Sequence, residues 1–153
     1  MKMIITKIER PISIVILHLD GTLDGANYKK LVEKGQMLFA NGVRDLILDL
    51  AKLTFISSAG LGALHQVAML FHGKLRSDLN ETWAGYRWAT YRNIKREHDL
   101  RHQQHVKLLS PSKEVREVLD LIGFSSLFEI YIFMPQAVES FRQPEMAMET
   151  SAR

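Results

Sequence analysis

The chain is 153 residues long, contains no cysteine, and carries 20 Lys+Arg against 17 Asp+Glu, a formal net charge of +3. Its length suits one domain, and an apolar fraction of 46% is ample for a packed core and too high for a disordered chain. The absence of cysteine excludes disulfide scaffolds and thiolate metal or redox sites, and it fits a reducing, cytoplasmic setting.

Met3–Glu9 and Ile12–Leu19 are rich in Ile, Val and Leu and are separated by Pro11, so they read as two strands of a hairpin. The second is far shorter than the roughly 20 apolar residues of a membrane span, and no small-residue cleavage site follows it. Asp20–Gly25 has turn chemistry. Leu31, Gly35, Leu38 and Phe39 recur at helical spacing between Ala26 and about Phe39, and Asn41-Gly42 ends that helix. Leu46–Leu50 is a third strand that continues loosely through Leu53–Ile56. Ser57 or Ser58 then caps a helix through Leu61, Leu64, Val67, Ala68 and Phe71.

Val106–Leu109 is a fourth strand, and Ser110-Pro-Ser112 starts a helix with Val115, Val118, Leu119 and Ile122 on one face and Gly123 at its end. Leu127–Phe133 reads as a fifth strand, and Pro135 as the first residue of a last helix, Gln136–Arg142. The implied fold is α/β, a mixed five-stranded sheet in the order β-β-α-β-α-β-α-β-α flanked by helices. One domain covers residues 1–143, and residues 144–153 form a patternless, flexible tail.

An insertion, residues 74–105, separates the second helix from the fourth strand. Residues 72–105 hold seven basic and four acidic groups and so carry the whole net charge; thirteen of each sign cancel elsewhere. Leu79, Trp83, Tyr86, Thr90 and Ile94 fit a helix from about Asp78 to His98. Its aromatic stripe, with Trp88 and Tyr91 alongside, is a candidate second interface for self-association or another protein partner. A structural arm packed on its own domain is the other reading, and +3 is a small footprint for nucleic acid. His98, His102 and His105 are spaced for one helix face but lack a carboxylate to complete a metal site, so no metal is assigned.

The junction Phe55–Leu64 places two hydroxyls between a buried strand and a helix whose first turn holds Ala59, Gly60, Gly62 and Ala63. A helix N-terminus favours phosphate, and small residues leave the backbone open to close approach by another molecule. These residues fit a phosphate-binding turn, a phosphorylatable serine, or a plain serine cap over tight packing.

The string Phe55-Ile-Ser-Ser-Ala-Gly-Leu-Gly-Ala-Leu64 resembles the signature of the STAS domain, specifically of the bacterial anti-sigma factor antagonists. Gly21-Thr-Leu-Asp24 resembles the loop after that family's second strand. Leu109-Ser-Pro-Ser112 with Val115–Phe124 resembles its later helix, and Leu127-Phe-Glu-Ile-Tyr131 its fifth strand. The resemblance covers roughly residues 1–72 and 106–142. It implies partner switching: binding to a serine kinase that is also an anti-sigma factor, release on phosphorylation, and reset by a serine phosphatase. The acceptor position that it implies is Ser58, with Ser57 as the alternative, because Ser57 stands where the family often has Asp. Ala59 stands where it often has Ser. The implied partner surface comprises Asp24, Ser57, Ala59, Gly60, Leu61 and Gly62, with Leu61 either an apolar contact or a buried helix residue. No catalytic residue or cofactor is implied. A STAS scaffold or transporter-associated module without phosphorylation is the alternative.

Two enzyme patterns fail on their residues. Leu17–Leu23 looks like the phosphatase motif D-x-D-G-T, but His18 occupies the position of its nucleophilic aspartate. Ser58, His65 and Asp49 could be assembled as a hydrolase, yet His65 lies seven residues along the helix, about 10 Å away.

Overall fold

The computed structural model describes residues 1–10, 12–72 and 103–142. Strands β1 (Lys2–Ile8) and β2 (Ile14–Leu23) lead to helix α1 (Tyr28–Ala40), strand β3 (Leu46–Ile56) and helix α2 (Ser58–Phe71). After the undescribed segment come β4 (Gln103–Leu109), α3 (Lys113–Leu121), the single turn α4 (Phe124–Leu127), β5 (Phe128–Tyr131) and α5 (Met134–Ser140). The order agrees with the sequence reading apart from the extra turn α4. The expected helix of the insertion, the His98 and His102 spacing, the stripe of Trp83, Tyr86, Trp88 and Tyr91, and the tail lie outside the described residues.

The five strands lie side by side in chain order. β1 is antiparallel to β2, and β2 through β5 are mutually parallel. Parallel strands that advance in one direction through right-handed crossovers must place every crossover helix on the same face. The core agrees. Val15, Leu17 and Leu19 of β2 and Leu46, Leu48 and Leu50 of β3 pack with Leu31, Leu64, Val67, Leu119 and Phe124 from the helices. The opposite face alternates with these residues along each strand. There Ile14, Ile16, Ile47 and Leu109 pack under Ala137 of α5 in a second, smaller cluster. Among the described residues α5 alone covers this face, and it leaves the upper part, with Thr6, His18 and Asp49, open.

Lys107 of β4 anchors α5. Its ammonium is 1% exposed, lies 2.7 Å from the half-exposed Glu129 carboxylate, donates to Ser140 Oγ at 2.9 Å, and sits 4.4 Å from the Phe141 ring centroid. A buried cation needs its counter-charge more than a half-exposed carboxylate does. Glu129→Gln is therefore expected to cost about 1–2 kcal/mol, whereas Lys107→Met, which removes the buried charge, is close to neutral. Urea unfolding of the two variants measures the asymmetry; equal losses would contradict it.

Several element boundaries differ from the sequence reading: β4 begins at Gln103, inside the expected insertion 74–105, and the last helix runs Met134–Ser140. Asp20–Gly25 was expected as a turn, but Asp20 to Leu23 continue β2, pairing with Lys52 to Ile56 of β3 through two register shifts. Gly21 takes φ 116°, a conformation that favours glycine, so the Asp-Gly pair makes an irregular strand rather than a chain reversal. The fifth strand is shorter than Leu127–Phe133. Gly123, at φ 82°, ends α3 and starts the α4 turn, which takes up Leu127.

Candidate functional site

β2 and β3 run beyond β4, and the start of α2 is fastened to their end. The Ser57 N–H donates to the Leu23 carbonyl at 2.9 Å, joining the first residue before α2 to the last residue of β2. Ser57 is the N-cap, with φ −92° and ψ 175°, and its Oγ accepts the Gly60 N–H at 3.2 Å. Ser58 is the first residue of α2 and its side chain is exposed. The two hydroxyls therefore differ: that of Ser57 is engaged in the cap, and that of Ser58 faces solvent.

Asp24 follows Leu23 directly and so stands beside the same junction. Its carboxylate accepts the Ala26 N–H at 2.9 Å and the Thr22 hydroxyl at 3.3 Å. Its own N–H donates to Asn27 Oδ1 at 2.9 Å, and the Asn27 side-chain amide donates to the Thr22 carbonyl at 2.7 Å. This Asx-type network holds the carboxylate in one orientation. Phe55, paired across the ladder with Thr22, is 53% exposed at the same end of the sheet. Asp24, Phe55 and Ser58 thus combine a fixed negative charge, an exposed aromatic ring and a free-facing hydroxyl at one tip of the molecule.

Gly60 seats the start of α2 closely on the sheet. A Cβ at Gly60 would stand 2.6 Å from the Leu23 carbonyl oxygen, 2.8 Å from Leu23 Cγ and 2.9 Å from Ile56 Cγ1. The space freed by the missing side chain is filled by this chain's own β2 and β3. Leu61, with 9% exposure, belongs to the main core, and Ala59, Gly60 and Gly62 are buried as well. Ala59, Gly60, Leu61 and Gly62 lie on the buried side of the first turn of α2. Phe55, which the sequence reading quoted only as part of a motif, is the exposed apolar group; its lone bulky ring beside Thr22 and Thr54 at the end of a strand was the available signal.

The assembly of Ser58, His65 and Asp49 does not exist. His65 is 2% exposed on the inner side of α2, its ring centroid 6.4 Å from that of Phe124, and burial lowers its pKa from 6.5 to about 4. Asp49 lies on the other face of the sheet, 2.7 Å from His18. His105 pairs with Asp45 at 3.1 Å. Among the described residues no group of three or more His, Asp or Glu is placed to hold a metal ion, and no helix is long and apolar enough to cross a membrane.

Residues 4–72, from β1 to the end of α2, match the family model of the STAS domain. No curated protein matches the sequence. Solved structures similar in fold include an anti-sigma factor antagonist from Mycobacterium paratuberculosis, with 15% identity, TM-score 0.63, and coverage of 92% of this chain and 93% of that one. The anti-sigma factor antagonist SpoIIAA in its unphosphorylated form has 20% identity and TM-score 0.57, with 93% and 97% covered. The phosphorylated form of SpoIIAA, the Bacillus cell fate determinant, has 20% identity and TM-score 0.53, with 90% and 97% covered. At these identities the likeness establishes the fold, a STAS-type mixed five-stranded sheet with its helices.

Proposed function

We propose that this STAS-type chain is a regulator of the anti-sigma factor antagonist kind, acting in the cytoplasm. It binds a serine kinase that doubles as an anti-sigma factor and is released when Ser58 is phosphorylated. The observation that carries the reading is the division of labour at the head of α2. Ser57 has its oxygen engaged by the Gly60 N–H, so Ser58 is the hydroxyl open to a kinase. A phosphate there brings about −1.5 to −2 charges to a helix N-terminus, which accepts them without unfolding. The same charge would be costly in a docked interface, because Asp24 already supplies a fixed carboxylate at that tip. The site acts by binding, and a serine phosphatase returns it to the binding form.

Incubation with ATP and a panel of serine kinases of the anti-sigma factor type, followed by mass spectrometry of the peptide spanning residues 53–74, tests the assignment. Phosphate on Ser58 is the expected result. Phosphate on Ser57 would move the acceptor by one position, and no phosphate on either would favour the unphosphorylated scaffold or transporter-associated module. The exposed ring of Phe55 gives a second check. Phe55→Ala is expected to weaken kinase binding about tenfold, as loss of an aromatic anchor does, with unchanged thermal stability because the ring faces solvent. Unchanged affinity would remove Phe55 from the interface.

A further inference from the structure

The sheet face that α5 leaves open carries a second constellation. It lies on the opposite side from α2 and about 23 Å along β3 from Ile56, at 3.3 Å per residue. The ladders set His18 opposite Asp49 across β2–β3 and opposite Ile4 across β1–β2. Thr6, two residues beyond Ile4, shares that face and reaches His18 diagonally. His18 Nδ1 lies 2.7 Å from Asp49 Oδ2, and His18 Nε2 lies 2.9 Å from Thr6 Oγ1.

A carboxylate only accepts, so Nδ1 donates to Asp49, and in the tautomer that bears its hydrogen there Nε2 is the acceptor and the Thr6 hydroxyl the donor. The second Asp49 oxygen accepts the Ala51 N–H at 3.1 Å, which holds the carboxylate in place. A cleft of about 290 Å³ opens on these groups and is lined also by Ile4, Ala51 and Lys52. A hydroxyl bonded to a base, a base oriented by a carboxylate, a cation and a small cleft together form an arrangement recognised by geometry rather than by chain order.

We propose that Thr6, His18 and Asp49 form an acyl-transfer site for small esters, separate from the Ser58 switch. Thr6 Oγ attacks the ester carbonyl as its proton passes to His18 Nε2. The bond from carbonyl carbon to alkoxy oxygen breaks, and the leaving alkoxide takes the proton from His18. Water then attacks the acyl-threonine, gives a proton through His18 to Thr6 Oγ, and releases the acid. One ester and one water become one acid and one alcohol. Lys52 supplies positive charge toward the oxyanion, and Asp49 acts as a positioning residue through His18.

The test uses the full chain with p-nitrophenyl acetate. Acetyl on Thr6 is expected in acid-quenched peptide maps, with nitrophenolate release about 100-fold above that of Thr6→Val, the scale of a positioned base. Thr6→Ser retains release, and Asp49→Asn lowers kcat with KM unchanged. Thr6 is exposed, so the Thr6→Val variant spares the core, and circular dichroism verifies that it is folded. Release at the wild-type rate from Thr6→Val, acetyl on lysines alone, or no release above buffer would each overturn the proposal.

Discussion

Acidification from pH 6.5 to pH 4 is expected to remove about 3 kcal/mol of folding stability through His65 alone. The ring is buried between α2 and α4 beside Phe124, and its pKa falls from 6.5 to about 4 because burial disfavours the imidazolium. In the unfolded chain the ring is in water and titrates near 6.5. Between the two values the unfolded state binds a proton that the folded state refuses, so stability falls as pH falls. The 2.5-unit difference at 1.36 kcal/mol per unit sets the size. Above pH 6.5 both forms are neutral and the effect vanishes; below pH 4 both are protonated and it levels off. Denaturant unfolding across this range, compared with His65→Leu, isolates the contribution of His65. The difference between the two stability profiles should grow toward about 3 kcal/mol by pH 4. Parallel profiles would mean that the ring is solvated or charged in the folded state.

Gly60→Ala is expected to destabilise the fold by about 2 kcal/mol, a typical cost of overpacking. Alanine is the better helix former by about 1 kcal/mol, so an unconstrained site would gain. Here the added methyl meets a backbone oxygen at 2.6 Å, and that oxygen accepts the Ser57 N–H that fastens α2 to β2. Relief requires either loss of that hydrogen bond or displacement of the helix start, and both disturb the position of Ser58. Gly35→Ala provides the control. A Cβ at Gly35 stands 3.2 Å from Val67 Cγ2, a side-chain contact that small adjustments relieve, so its effect stays within about 1 kcal/mol. Thermal unfolding of the two variants decides the matter. A stabilised Gly60→Ala would show that the junction is loose.

These two residues also mark how far the sequence could be read. The order of strands and helices was legible because apolar residues change period clearly between Ile12–Leu19, Leu31–Phe39, Leu46–Leu50 and Leu61–Phe71. The strand at Asp20–Leu23 was not, because Asp-Gly-Thr is turn composition, and only pairing with Lys52–Ile56 keeps it extended. The hydroxyl pair and its helix start were visible in the sequence, whereas which serine is the cap and which is exposed depends on the entry angle of the chain. Leu61 carried two readings because helical spacing does not say which face of a short first turn meets the sheet. The contact of Thr6, His18 and Asp49 spans 43 residues and depends on register across three strands, information that a linear pattern does not hold.

The burial of Leu61 and Ala59 changes how the switch is pictured. In the proposed switch an interface at this tip would draw on Phe55, Asp24 and the exposed edge of the first helical turn, with Gly60 setting the helix position from beneath. A phosphate on Ser58 would then act at a helix start fastened to β2 by the Ser57–Leu23 hydrogen bond. Its effect is electrostatic and local, and the fold is expected to change little between the two states.

The affinity of this protein for the proposed kinase partner, measured by calorimetry for the unphosphorylated form, the Ser58-phosphorylated form and Ser58→Ala, tests that picture most directly. The unphosphorylated protein and Ser58→Ala should bind alike, and the phosphorylated form at least about 100-fold more weakly, the cost of several kcal/mol that a like charge imposes at an interface. Equal affinity of the phosphorylated and unphosphorylated forms would contradict the switch.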